Sequence, residues 1–139
     1  MKVLTSKVAK RVLVIDDDPV LLDCVTGWLS LQGHIVQAVD NRDEGLKVAI
    51  SAYFDVVLLD YRMPGMSAMD FIEQIRKKDI RFHVILMTAD HGAFELASVL
   101  GIGQVLPKPF DIELVTWMVD RVEKPDGSCT AQIIVQKRW

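Results

Sequence analysis

Five polar side chains stand where the surrounding sequence is otherwise apolar. Asp16 and Asp17 follow Val12-Leu13-Val14-Ile15, Asp60 follows Val56-Val57-Leu58-Leu59, Thr88 follows Val84-Ile85-Leu86-Met87, and Lys108 comes just after Val105-Leu106. If these runs are parallel strands of one sheet, all five side chains sit at carboxyl ends, where open α/β sheets bind their ligands. Three carboxylates gathered there repel one another by roughly 4 kcal/mol per pair at ~4 Å and an effective dielectric of about 20. A cation removes that cost, and Mg²⁺, a hard ion that prefers oxygen, suits the donors. Thr88 offers a hydroxyl donor and Lys108 a point positive charge, both matched to the oxygens of a phosphoryl group carried on a carboxylate. The chemistry that uses the whole set is phosphorylation of an aspartate. Singly, Asp, Thr and Lys at strand ends are ordinary turn and cap residues; their joint placement carries the reading.

Elements of the right kind surround them. Strands are expected over Arg11 to Asp16, His34 to Val39, Asp55 to Asp60, Phe82 to Thr88 and Gln104 to Leu106. Three of these contain unbroken apolar runs, the pattern of central parallel strands covered on both faces. Helical patterns separate them, which makes the chain an α/β protein. Asp18-Pro19 reads as N-cap and first residue of a helix with the stripe Leu21, Val25, Trp28 and Leu29, ended by Gly33. Asp40 is expected to cap a second helix with Leu46, Ala49 and Ile50 inward. Ser67-x-x-Asp70 resembles a capping box before Phe71, Ile72 and Ile75. A fourth helix carries Phe94, Ala97 and Leu100 and closes at Gly101. A fifth, from about Asp111 to Val122, turns Leu114, Val115, Met118, Val119 and Val122 to one side and leaves Trp117 on the other.

Composition excludes several functions. The 139 residues suffice for one domain, half of them are hydrophobic and a quarter charged, so a buried core is expected and wholesale disorder is not. A net charge of -3 without long basic runs gives no electrostatic reason to expect nucleic acid. No segment has the roughly 18 apolar residues of a membrane span, and the expectation is a cytoplasmic protein. Cys24 and Cys129 fit neither a disulfide framework nor a zinc site. His34, His83 and His91 are scattered and read as hydrogen-bonded structural residues. Met63, Met66, Met69 and Met87 read as packing.

The span from Arg11 to about Val122 resembles the receiver domains of bacterial response regulators. Four motifs carry the resemblance, in order and with matching separations: Val12-Leu13-Val14-Ile15-Asp16-Asp17-Asp18-Pro19, Leu58-Leu59-Asp60-Tyr61-Arg62-Met63-Pro64-Gly65, Met87-Thr88-Ala89 and Leu106-Pro107-Lys108-Pro109-Phe110. The resemblance implies a flavodoxin-like, doubly wound five-stranded parallel sheet of order 2-1-3-4-5 with helices on both faces. It implies Asp60 as phosphoacceptor and Asp16 with Asp17 as an acidic pair. Asp17 and Asp60 would bind Mg²⁺ directly, Asp16 largely through water, and Arg62 by its backbone carbonyl. Thr88 and Lys108 would hold the phosphoryl oxygens, and Lys108-Pro109 would be a cis peptide. The implied function is a switch in a two-component phosphorelay, more than a turnover enzyme. A sensor histidine kinase or histidine phosphotransfer protein would donate the phosphoryl group. A surface of helix four, strand five and helix five would engage a downstream effector protein.

Some features depart from the family pattern. The position three before Lys108, often aromatic, is Val105, so switching is expected to run through Thr88 and the Ala89 to His91 loop. Arg62 and Asp90, two residues past Asp60 and Thr88, could pair across the site mouth and shield the aspartyl phosphate from water. Residues 1–10 read as a lead-in and 123–139 as a tail outside the receiver domain. In the tail, Pro125-Asp126-Gly127-Ser128 signals a turn, and Ala131 to Gln136 has strand character. A sixth edge strand or a homodimer contact is expected there, either of which could shield Trp117. The alternatives are a degenerate receiver that only binds partners, a receiver fragment of a larger regulator, and a Rossmann-like nucleotide enzyme. Gly101-x-Gly103 is too short for the last and follows a helix instead of a strand.

Overall fold

The computed structural model describes residues 8–90, 92–102 and 104–123. Strands and helices alternate along them: β1 (Arg11–Ile15), α1 (Pro19–Leu31), β2 (Ile35–Val39), α2 (Arg42–Ser51), β3 (Val56–Asp60), α3 (Ala68–Lys77), β4 (His83–Thr88), α4 (Gly92–Leu100), β5 (Gln104–Pro107) and α5 (Ile112–Arg121). All neighbouring strands pair in parallel, and their order is β2-β1-β3-β4-β5. This is the flavodoxin-like sheet that the resemblance implied.

The unbroken apolar runs have a simple cause. Side chains alternate between faces along a strand, and both faces here are covered. Leu13, Ile15, Val57, Leu59 and Leu86 pack into one cluster with Phe71, Ile72 and Ile75 of α3 and Ala49 of α2. Their neighbours Val12, Val14, Val56, Leu58, Ile85 and Met87 pack into the opposite cluster with Val25 and Leu29 of α1 and Val115, Met118 and Val119 of α5. All residues of β3 are buried, and truncating one of its leucines to alanine is expected to cost about 2–5 kcal/mol. The phosphoacceptor candidate Asp60 thus ends a strand whose every residue is buried.

Helix ends fix the loops at the sheet's carboxyl edge. Asp18 accepts from the Val20 and Leu21 amides with Pro19 beginning α1, and Ser67 Oγ accepts from the Asp70 amide at the start of α3. At the other end of α1, Gly33 at φ +96° lets His34 donate to Leu29 O and Gly33 to Ser30 O, which satisfies the last carbonyls. Gly101, at φ +73°, closes α4 in the same way, with Ile102 donating to Ala97 O.

The structure corrects several expectations. The buried stripe of α1 includes Leu22 with Val25 and Leu29, while the expected Leu21 is partly buried against the same cluster. Asn41, not Asp40, caps α2, its Oδ1 accepting from the Glu44 amide at 2.8 Å, while Asp40 accepts from the Asn41 side chain. Of the expected inner residues of α2, Ala49 is buried and Leu46 is partly buried against the core, whereas Ile50 is exposed; Arg42 and Gly45 are the other buried residues of the helix. A Cβ on Gly45 would lie 2.6 Å from Ile15 Cδ1, so glycine is what allows α2 to rest closely on β1. Trp117 is half-buried against the α1 and α5 cluster and covered by the Arg121 guanidinium, 3.9 Å from the ring centroid. Its shield is therefore supplied at least partly within α5. The expected sixth strand and tail contact, with Cys129, lie outside the described residues, as does His91.

Candidate functional site

The ladders run slightly past the strand ends and hold the polar residues in place. Asp16 N donates to Val39 O, Tyr61 N to Met87 O, and Lys108 N to Thr88 O at 2.8 Å. The five residues singled out in the sequence consequently meet at one edge. Carboxylate oxygens of Asp16, Asp17 and Asp60 all lie within 4.8 Å of one another. Lys108 Nζ donates to Asp16 Oδ2 at 2.7 Å and to Asp60 Oδ1 at 3.1 Å. Asp16, Asp60 and Thr88 are buried, whereas Asp17 opens to solvent. The other Asp16 oxygen accepts from the Asp18 amide at 2.9 Å, which ties the acidic turn to the start of α1.

Electrostatics follow from this crowding. Burial pushes the Asp60 carboxyl above its ordinary range, Asp16 adds to the rise, and Lys108 opposes it. Burial alone would lower Lys108, but its bonds and attraction to Asp16 and Asp60 win, and its ammonium is held above the usual lysine value. One cation thus serves two buried carboxylates while a third stands beside them. The donor set is all hard oxygen, with a net negative balance that Lys108 does not cancel. It fits a Mg²⁺ ion.

The remaining residues named from the sequence fall around this centre. Thr88 Oγ1 accepts from the Asp90 amide at 2.9 Å. Arg62 directs its exposed guanidinium to Asp90, forming an ion pair that joins the loop after β3 to the loop after β4. Asp90 also accepts from the Gly92 amide at 2.9 Å and so begins α4. Ala89 is exposed between them. Val105 is buried in the cluster that includes Ala97 and Ile102, and Lys108-Pro109 is cis.

Arg42 went unnoticed in the sequence. Its side chain is buried, with 1% exposure, and donates to the backbone carbonyls of Asp60, Tyr61, Met63 and Met66. Burial lowers its pKa, partly offset by attraction to Asp60 and Asp17. A sequence signal did exist. Arginine at the first position of a helix opposes the helix dipole and therefore needs another reason to be there. A cleft of about 610 Å³ runs beside it, lined also by Arg62, Met63, Pro64 and Ser67.

Comparison with known proteins agrees with this geometry. The family described as response regulator receiver domain matches residues 12–120. The chain belongs to that family. Its receiver domain is 36% identical over 112 residues to the DNA-binding transcriptional regulator NtrC of Salmonella typhimurium, covering 79% of this chain and 24% of that protein. The chemotaxis response regulator CheY4 of Vibrio cholerae superposes with a TM-score of 0.76 at 25% identity, over 84% of this chain and 100% of that one. The response regulator TrrA of Thermotoga maritima, solved in complex with Mg²⁺ and beryllofluoride, gives 0.73 at 30% identity, over 82% and 99%. Among curated relatives the receiver domain spans between about a quarter and about half of the full length, 24% in NtrC and 55% in YkoG of Bacillus subtilis. No helix among the described residues is long and apolar enough to cross a membrane.

Proposed function

We propose that this receiver domain accepts a phosphoryl group on Asp60 from a phosphohistidine of a sensor histidine kinase or histidine phosphotransfer protein. The observation that carries the reading is the Lys108 ammonium shared by Asp16 and Asp60, with the Asp17 carboxylate alongside. In the forward step an Asp60 oxygen forms a bond to phosphorus while the phosphorus–nitrogen bond breaks, and the imidazole leaves with the electron pair. Hydrolysis later returns the carboxylate and inorganic phosphate. The domain is thereby consumed and restored as a switch.

The work of the site is positioning and charge neutralisation. Asp16, Asp17, Asp60 and the Arg62 carbonyl would hold Mg²⁺, which when bound supplies positive charge against the transferring group. Lys108 supplies the protein's own counter-charge and can follow the phosphoryl oxygens without leaving Asp16. Thr88 accepts the Asp90 amide and keeps its O–H to donate to a phosphoryl oxygen. Movement of Thr88 toward Asp60 would pull the Ala89–Asp90 loop, and with it the start of α4, biasing the surface of α4, β5 and α5 toward a downstream effector. Compartment, partners and any homodimer are part of the same proposal: a cytoplasmic relay acting through proteins and without nucleic-acid contact by this domain.

Incubation with acetyl phosphate and Mg²⁺, read by intact mass, tests the reading. One added phosphoryl group is expected, lost on chelation and absent in Asp60→Asn. Labelling of Asp60→Asn to the parent's extent would reject Asp60 as the acceptor. No labelling of the parent by any small donor or phosphohistidine protein would favour a receiver that only binds partners.

A further inference from the structure

Arg42 stands outside the acidic cluster, yet its side chain ends on the loop that leaves it. We propose that Arg42 is a positioning residue for the site. Its guanidinium fixes the backbone from Asp60 to Met66, so that the Asp60 carboxylate and the Arg62 carbonyl face a divalent cation together. The inference rests on the phosphoacceptor reading above and goes beyond it by assigning the loop's geometry to a residue on another element.

The contacts define the role. Nη1 donates to Met63 O at 3.1 Å and to Met66 O, and Nη2 donates to Asp60 O at 2.6 Å and to Tyr61 O. All the N–H groups of both terminal nitrogens are therefore spent on one loop. The carbonyls before and after Arg62 are both held, which leaves the peptide carrying the Arg62 carbonyl little freedom. A planar fork can do this, whereas a lysine offers donors from a single point. The helix has no use for the residue, since a cation in its first turn opposes its dipole. Arginine is rarely so fully buried unless paired, and here the four terminal N–H groups are paired while the buried Nε has no hydrogen-bond partner. Gly45, one turn later, leaves room for the close packing on Ile15, whose Cδ1 a Cβ there would meet at 2.6 Å.

Charge and position make opposite predictions for metal binding. The guanidinium faces Asp60 and Asp17, so as a charge it repels a second cation, and its removal should tighten Mg²⁺ binding. As a clamp it aims the ligands, and its removal should weaken Mg²⁺ binding. The test measures the Mg²⁺ dissociation constant of the full chain by calorimetry, without phosphodonor, for the parent, Arg42→Met and Arg42→Lys. Both substitutions are expected to weaken binding by about tenfold, the lower end of what lost outer partners cost a metal site. Equal or tighter binding by a folded Arg42→Met overturns the proposal, and so does full recovery in Arg42→Lys, which would show that the planar fork is not what aims the ligands.

A second measurement needs only the parent. Separate, slowly exchanging Nη proton signals for Arg42 in NMR spectra are expected of a guanidinium held on four carbonyls; a single averaged signal would overturn the clamp whether or not the variants fold. A parent that binds no Mg²⁺ would sink the proposed function and this inference with it. A parent that binds Mg²⁺ beside folded variants of unchanged affinity would sink this inference alone.

Discussion

Asp60 is a carboxyl group held where its ionised form is disfavoured, by burial first and by Asp16 second. Its folded pKa lies above its unfolded value, so the folded state binds more protons between the two. Stability attributable to this group is therefore greatest at acidic pH and is lost as pH rises through that window. Asp60→Asn removes the penalty, and Lys108 keeps Asp16 as its partner at 2.7 Å. Denaturant titrations without divalent cations should find Asp60→Asn more stable than the parent at pH 7, the gap closing below the ordinary carboxylate range. A less stable variant at pH 7 would mean that Lys108 attraction outweighs burial. Mg²⁺ should reverse the order, adding about 2.7 kcal/mol to the parent at a hundredfold excess over its dissociation constant and less to the variant. The residues of this centre were legible in the sequence because each polar group closes an apolar run. Arg42 was harder to read, because its partners are backbone carbonyls, which carry no residue signature, and because the one signal, a cation at a helix start, also fits a solvated charge.

The loops after β3 and β4 are separate in the chain but joined by the Arg62–Asp90 pair, above a Thr88 whose hydroxyl the Asp90 amide already occupies. If the pair shields the aspartyl phosphate, Arg62→Ala and Asp90→Asn should each speed its hydrolysis, by less than about tenfold because exposed ion pairs are weak. The double variant should resemble either single one. Asparagine is preferred to alanine because it keeps an acceptor for the Gly92 amide at the start of α4. Additive logarithms of the rates would show that the two residues act independently. Val105 sets a related expectation: with a short buried side chain and no ring to reorient, beryllofluoride binding should shift amide resonances most at Thr88, Ala89 and α4. A response centred on Val105 with Ala89 silent would contradict it. Central strands were readable because two-sided burial writes unbroken apolar runs. β2 carries no such run, since it is an edge strand and its Ile35 is exposed. The inner face of α2 was read in part: Ala49 is buried and Leu46 packs against the core, but Arg42 and Gly45, which hydrophobic periodicity does not register, complete the face, while the apolar Ile50 points outward.

Across the whole domain, the sheet's first edge and the last helix are joined by one imidazole. The buried His34 accepts from the Lys10 amide at 3.0 Å through Nδ1, and its Nε2 lies 2.9 Å from Asp120 Oδ1. With Nδ1 accepting, Nε2 carries the proton and donates to Asp120. Lys10 Nζ reaches Asp120 O at 2.8 Å and Ile35 N donates to Lys10 O at 2.9 Å, so the lead-in to β1, the start of β2 and the end of α5 close on this residue. The sequence indicated only that His34 would be an ordinary hydrogen-bonded histidine; residues 24 and 86 positions away supply its partners, and local pattern cannot reveal contacts at such separation. His34→Ala removes both bonds. The expected loss in unfolding free energy is about 1–3 kcal/mol, with hydrogen-exchange protection falling at Lys10 and Ile35 before it falls in β3. His34→Asn places an amide oxygen near the former Nδ1 and should recover part of the loss by accepting again from Lys10. An alanine variant within about 0.5 kcal/mol of the parent, the range of neutral surface changes, would show that the His34 bonds contribute little to holding α5.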